Sequence, residues 1–248
     1  MRDNRDAIDT NALRWRSLSD VLSFKLLNGD RNSGPHTMLL RSSTRPPGLA
    51  RGQYHSADEE FLCLGGDFTF DGSTWFRKGS YAFYPAYFVH GTKVHVRGGY
   101  EVYLRISDTN TTFWEDEPRS DKPYVAAGRH SDDYALQLPR ATNFGRYSKP
   151  LAAEGVHAKR LHEVAETGRG STLLDFRASA QGRWVVVETS GLLELFVMTG
   201  KFSIPNGDEL RDQTYMCRVG DDASVSLQCR RAGRIMISHD AAFCIRSG

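Results

Sequence analysis

Gln53-Tyr54-His55-Ser56-Ala57-Asp58-Glu59-Glu60-Phe61 is the stretch on which the reading of this chain turns. Side chains two apart along a β-strand share a face. Gln53, His55 and Glu59 are spaced by two and four, so the pattern projects all three to one side, with Phe61 and Cys63 beyond them. Gly79, Pro85 and His90 follow with the spacing Gly-x5-Pro-x4-His. A single buried histidine beside a glutamate reads as a satisfied core pair. Two histidines and a carboxylate at set spacing, with a glycine and a proline between, are more than such a pair.

Strand signals surround this stretch. Thr37–Leu40, Glu60–Leu64, Ser80–Tyr84 and Tyr100–Leu104 are short apolar runs punctuated by Gly, Pro, Asp or Asn, and the same texture returns at Ser171–Phe176, Trp184–Glu188, Leu192–Met198 and Arg234–Ser238. Evenly spaced short strands predict a barrel or jelly roll. Helical periodicity is weak, apart from a turn expected near Ser17–Leu22.

The halves repeat. A shift of 134 places Lys25 on Lys159, Leu27 on Leu161, Gly34 on Gly168, and Leu39 and Leu40 on Leu173 and Leu174. It also places Ser56 on Ser190, Glu60 on Glu194, Gly66 on Gly200, Phe68 on Phe202, Tyr81 on Tyr215 and Arg97 on Arg231. Average residue usage would give roughly half as many identities. The expected organisation is an N-terminal unit over 1–107, a connection over 108–150 lying on the units, and a C-terminal unit over 151–248. In the second copy the shift replaces Gln53 by Val187, His55 by Thr189, Glu59 by Leu193 and His90 by Ser224, so a metal held as the cupin resemblance described below implies is not expected there. That copy is expected to serve packing, dimerisation or the shaping of the site entrance.

The motif resembles that of the cupins, His-x-His-x3-Glu followed by Gly-x5-Pro-x4-His. Residues 54–60, with the entry from Lys25 to Thr37, are similar to the ChrR-like cupin group of the RmlC-like cupin superfamily. The resemblance implies an all-β fold of two tandem double-stranded β-helix barrels. It also implies one divalent metal per chain, held by His55, Glu59 and His90, with Gln53 standing where the first histidine belongs. Tyr87 replaces a glycine common before the last histidine. An amide oxygen is a weaker ligand than imidazole for soft metals, and Gln53 can instead hydrogen-bond a bound water. The remaining His2Glu set serves Fe(II), which the resemblance favours, and equally catalytic zinc; manganese and nickel stay open.

The implied activity is that of a metal-dependent enzyme acting on a small carbonyl or hydroxylated organic substrate, in the first place a non-heme Fe(II) dioxygenase cleaving a C–C bond. A non-redox isomerase or lyase and a non-enzymatic sensing or regulatory cupin are the alternatives. Arg41, Phe61, Cys63, Tyr103 and Arg105 are expected around the substrate. Cys63 has no base beside it and is not read as a nucleophile.

Composition bounds the rest. With 32 basic and 30 acidic residues the chain is near neutral, which offers no steering toward nucleic acid or an anionic membrane. No leader-like or membrane-spanning run is present in the sequence, so a cytoplasmic protein is expected. Its four cysteines lack CxxC pairing and read as free thiols. Family resemblance suggests a homodimer.

Overall fold

The computed structural model describes residues 1–49, 51–91, 93–115, 136–137, 149–150, 154–164 and 167–247. Among them are strands and two short 3-10 turns, with no α-helix and no helix long and apolar enough to cross a membrane. The chain forms two compact units, Met1–Arg2 with Arg14–Thr142, and Asp3–Leu13 with Asn143–Gly248.

In the first unit the sheet runs Leu136–Gln137, Tyr81–Tyr84, Glu59–Thr69, Lys93–Ile106, His36–Ser42, Leu22–Gly29 and Arg16–Ser17. Its core gathers Met38, Phe61, Cys63, Phe68, Phe76, Ala82, Tyr84, Phe88, Val96, Val102 and Leu104. These come from alternate positions of facing strands, as barrel filling requires. The expected helical turn near Ser17 is instead a β-hairpin: Arg16 and Ser17 pair with Phe24 and Ser23. The Ser19 hydroxyl accepts from the Val21 and Leu22 amides, which tightens that turn.

The second unit carries Val156–Glu163, Gly170–Phe176, Trp184–Ser203, Glu209–Arg211 and Thr214–His239 in one sheet. Leu22, His36 and Trp75, which open strands in the first unit, differ by 134 from Val156, Gly170 and Glu209. The repeat identities acquire reasons. Tyr81 donates to the buried Glu60 carboxylate at 2.7 Å, and Tyr215 donates to Glu194 at 2.5 Å. Gly66 and Gly200 both take positive φ, 91° and 108°. A Cβ on Gly66 would stand 2.2 Å from the Gly99 carbonyl oxygen, so the strand crossing requires glycine.

The gapless shift needs one correction. Glu59 pairs with Ile106, whereas Leu193 pairs with His239, a shift of 133. The second copy is one residue shorter where Arg97 to Tyr100 bulge against Asp67 and Gly66, and a bulge absorbs such a difference without disturbing its neighbours. Likewise Gln53 pairs with His90 but Val187 with Val225, so the counterpart of His90 is Val225, not Ser224. Val187, Leu193 and Val225 are packed in the second apolar core. Thr189 donates its hydroxyl to the Ala242 carbonyl.

Two further boundaries differ from expectation. Arg5–Asp9, assigned from sequence to the N-terminal unit, pairs with Thr214–Cys217 of the second. Thr112–Glu115, assigned to the connection, pairs residue for residue with Gly52–His55. In both places polar residues hide a strand whose partner lies far along the chain. All four cysteines are free; Cys63, Cys217 and Cys229 are buried and Cys244 is exposed.

Candidate metal centre

His55 ends the strand Gly52–His55 and Glu59 opens the strand Glu59–Thr69. The strand is therefore interrupted between them, and a held turn, not simple alternation, aims both inward. The Asp58 carboxylate accepts the Ala86 amide at 2.8 Å, the Asp58 amide donates to the Ser107 hydroxyl at 3.0 Å, and the Tyr87 amide donates to the His55 carbonyl at 2.7 Å. His90 is joined to Gln53 by two backbone hydrogen bonds of 2.8 Å. Its ring lies flat on that of Tyr84, with centroids 4.4 Å apart and planes at 4°.

The donor atoms of His55, Glu59 and His90 lie within 4.8 Å of one another, and all three residues are buried. His55 Nε2 is 2.8 Å from Glu59 Oε2. His90 Nδ1 lies 3.2 Å from the Phe88 carbonyl oxygen. A carbonyl can only accept, so that nitrogen carries the proton and Nε2 keeps its lone pair toward the site. The Gln53 side-chain nitrogen sits 3.3 Å from this Nε2. Two imidazole nitrogens and one carboxylate at this separation fit a single divalent ion.

The electrostatics suit the same reading. Burial pushes the His90 imidazole down to about 4, despite the pull of Glu59, so it is neutral and able to ligate. Burial alone would raise Glu59, but His55, by charge and hydrogen bond, with His90 and His36, holds its carboxyl below the usual value. Burial and the Glu59 charge push the Tyr84 phenol well up. Burial takes the Cys63 thiol to about 12, which removes it as a nucleophile.

A cavity of about 600 Å³ opens on the centre, lined by Gln53 and Glu59 with Leu22, Leu40, Phe70, Val94, Val96, Tyr100, Trp114 and Arg51. Phe61 and Cys63 share the Glu59 face and stand in the core beneath it. Arg41, Tyr103 and Arg105 do not. Ile106 pairs with Glu59, so Arg105, paired with Glu60, lies on the opposite face, and Tyr103, paired with Leu62, follows it. Arg105 is buried and salt-bridged to Glu60 at 3.3 Å. Arg41 pairs with Glu101 on the same side, with its guanidinium 4.3 Å from the Trp15 ring centroid. The alternation of Lys93–Ile106 was readable in the sequence; its register against Glu59 was not.

Tyr87, at the glycine position of the motif, has φ 67°. The left-handed backbone is real here, and a β-carbon strains it. Tyr87→Gly is expected to raise thermal stability by about 1 kcal/mol, read as a higher Tm by calorimetry. An unchanged or lower Tm would mean that its ring, 6.2 Å from that of Tyr54, more than offsets the strain.

Residues 3–104 match the family described as the ChrR Cupin-like domain. A candidate dioxygenase from Nostoc punctiforme superposes with a TM-score of 0.72 at 15% identity, covering 98% of this chain and 86% of that one. The repeated barrel and this match agree. The chain has the fold of two tandem cupin barrels. Other structures of similar fold are the salicylate 1,2-dioxygenase of Pseudaminobacter salicylatoxidans (TM-score 0.59, 12% identity, 86% and 75% coverage) and the oxalate decarboxylase of Bacillus subtilis (0.57, 11%, 99% and 78%). No curated protein matches the chain in sequence.

Proposed function

We propose that the first unit binds one divalent metal through His55, Glu59 and His90 and acts as a metal-dependent enzyme on a small carbonyl or hydroxylated organic substrate, in the manner of an Fe(II) dioxygenase. The convergence of three buried donors within 4.8 Å, beside a cavity, carries this reading. The fold shared with dioxygenases and a decarboxylase supports it. Bound metal would supply polarisation of a substrate oxygen and, as iron, coupling to O2. The chain's own groups do the rest. The Gln53 amide, beside His90 Nε2, is placed to orient a ligand or water at the position of the absent histidine. Leu40, Phe70, Val94 and Val96 line an apolar wall that excludes water. Arg51, also lining the cavity, offers positive charge to an anionic substrate group.

The test is metal content by plasma mass spectrometry on tag-free protein purified without chelator, wild type beside His90→Ala. The wild type is expected to carry about one iron per chain, on the ligand count of a facial site, and His90→Ala to lose it. The iron-loaded protein is then expected to consume oxygen with a β-diketone or an α-hydroxyketone. Zinc, manganese or nickel at that level, with no oxygen uptake, would replace the dioxygenase by non-redox chemistry. No metal even after reconstitution would overturn the reading. A homodimer of 27.8 kDa chains is part of the same proposal, on family resemblance, and sedimentation reads it directly.

A further inference from the structure

The segment after Ile106 reads from sequence as the start of a connection, yet it closes on the metal strand. The Ser56 hydroxyl donates to the Thr109 carbonyl at 3.1 Å and accepts the Thr111 amide at 2.9 Å, and the Ser56 amide donates to the Thr111 carbonyl at 3.1 Å. Behind the His55 ring this strap delivers two side chains. Asn110 Nδ2 and Thr112 Oγ1 each lie 3.2 Å from His55 Nδ1.

These contacts bear on which nitrogen of His55 carries the proton. With its nitrogen toward the ring, the Asn110 amide would meet a bare Nδ1 and leave the proton on Nε2, which faces Glu59 at 2.8 Å. An ion at the centre needs the reverse: a lone pair on Nε2 and the proton on Nδ1. The Thr112 hydroxyl can donate or accept and does not choose between the two states. Each end of the Asn110 amide suits one of the two states, since its nitrogen only donates and its oxygen only accepts. Its Oδ1 is buried without a hydrogen-bond partner, and no other side-chain hydrogen bond of Asn110 exists among the described residues. Nothing clamps the amide in one of its two orientations, and which end faces a histidine is set by that histidine's proton.

We infer that Asn110 is a positioning residue, whose amide stands against His55 Nδ1 and presents its oxygen there when Nδ1 carries the proton and Nε2 ligates. The inference rests on the metal reading above for its consequence, but not for its test.

The decisive measurement is long-range nitrogen–proton NMR of the His55 ring in metal-free protein, in the wild type, Asn110→Asp and Asn110→Leu. Asn110→Asp offers only acceptors, so it is expected to move His55 to the Nδ1–H tautomer. The wild type is expected to show Nε2–H. Asn110→Leu, with neither donor nor acceptor, is expected to give a mixture. Zinc affinity by chelator competition then follows the tautomer: Asn110→Leu binds about 10- to 100-fold more weakly, the range for outer hydrogen-bond partners of ligand histidines, and Asn110→Asp binds as well as the wild type or better. If His55 has the same tautomer in all three proteins, the inference falls, whether or not zinc binds. If the tautomer shifts as stated and no variant binds zinc, the metal reading falls and Asn110 keeps its control of the ring. Loss of affinity in Asn110→Asp equal to that in Asn110→Leu would also overturn it, because a packing role alone predicts that result.

Discussion

Glu59→Gln is expected to emerge from purification folded and without metal. The substitution is nearly isosteric, and the amide oxygen still accepts the hydrogen bond that His55 Nε2 gives the carboxylate at 2.8 Å. What it removes is the charge. Among the three convergent donors Glu59 would supply the anion, since histidine ligates metals as a neutral ring. Taking away an outer hydrogen-bond partner of a metal site costs about 10- to 100-fold in affinity. Loss of the charged ligand itself is expected to exceed that, dropping bound metal below detection by plasma mass spectrometry. Circular dichroism and calorimetry should show the sheet content of the wild type, and a melting temperature near that of the metal-free wild type. A variant that retains stoichiometric metal would move the site away from Glu59.

The second large effect lies on the other face of the same strand. Arg105→Leu is expected to destabilise the first unit by about 3–5 kcal/mol, the cost of leaving one member of a buried ion pair without its partner. Glu60 is 3% exposed and Arg105 4%, with Tyr81 donating to the same carboxylate. The Tm should fall by roughly 10 °C, from the usual relation between stability and melting for a chain of this size. Replacing the whole set, as Glu60→Leu, Tyr81→Phe and Arg105→Leu together, is expected to recover most of the loss, because an apolar set of similar volume carries no desolvation penalty. If Arg105→Leu instead melts like the wild type and shows a raised KM, the residue belongs to the substrate after all, and the facing derived from the strand pairing is wrong.

These two positions also mark what the sequence could and could not reveal. Metal-ligand spacing is local: His55 and Glu59 are four apart, and His90 follows a glycine and a proline at fixed offsets. Strand facing is not local. Glu60 and Arg105 are 45 residues apart, and whether Arg105 opposes Glu59 or Glu60 depends on a register that bulges at Arg97/Tyr100 and Glu101/Val102 reset. One residue of slip exchanges the two faces, which is how Arg41, Tyr103 and Arg105 came to be expected in the cavity. Asn110 and Thr112 were illegible for another reason. Thr109-Asn110-Thr111-Thr112 has no apolar alternation, and its pairing is with the motif strand and not with a core. The same holds for Arg5–Asp9, whose burial is slight and whose residues are mostly charged.

That N-terminal strand has a bearing on how the molecule comes into being. Ile8 pairs with Tyr215 and Asp9 with Thr214, so this strand finds its neighbour only when some 200 further residues have been made. At synthesis rates of about 5–20 residues per second, Arg5–Asp9 waits on the order of ten to forty seconds on the ribosome, while the barrel that holds His55, Glu59 and His90 can already close behind it. During that wait the segment is tethered to a unit in which it has no place. The two units are therefore not separable by a single cut: a fragment beginning at residue 151 lacks the strand that covers Thr214–Cys217, and removing residues 1–12 injures the second unit.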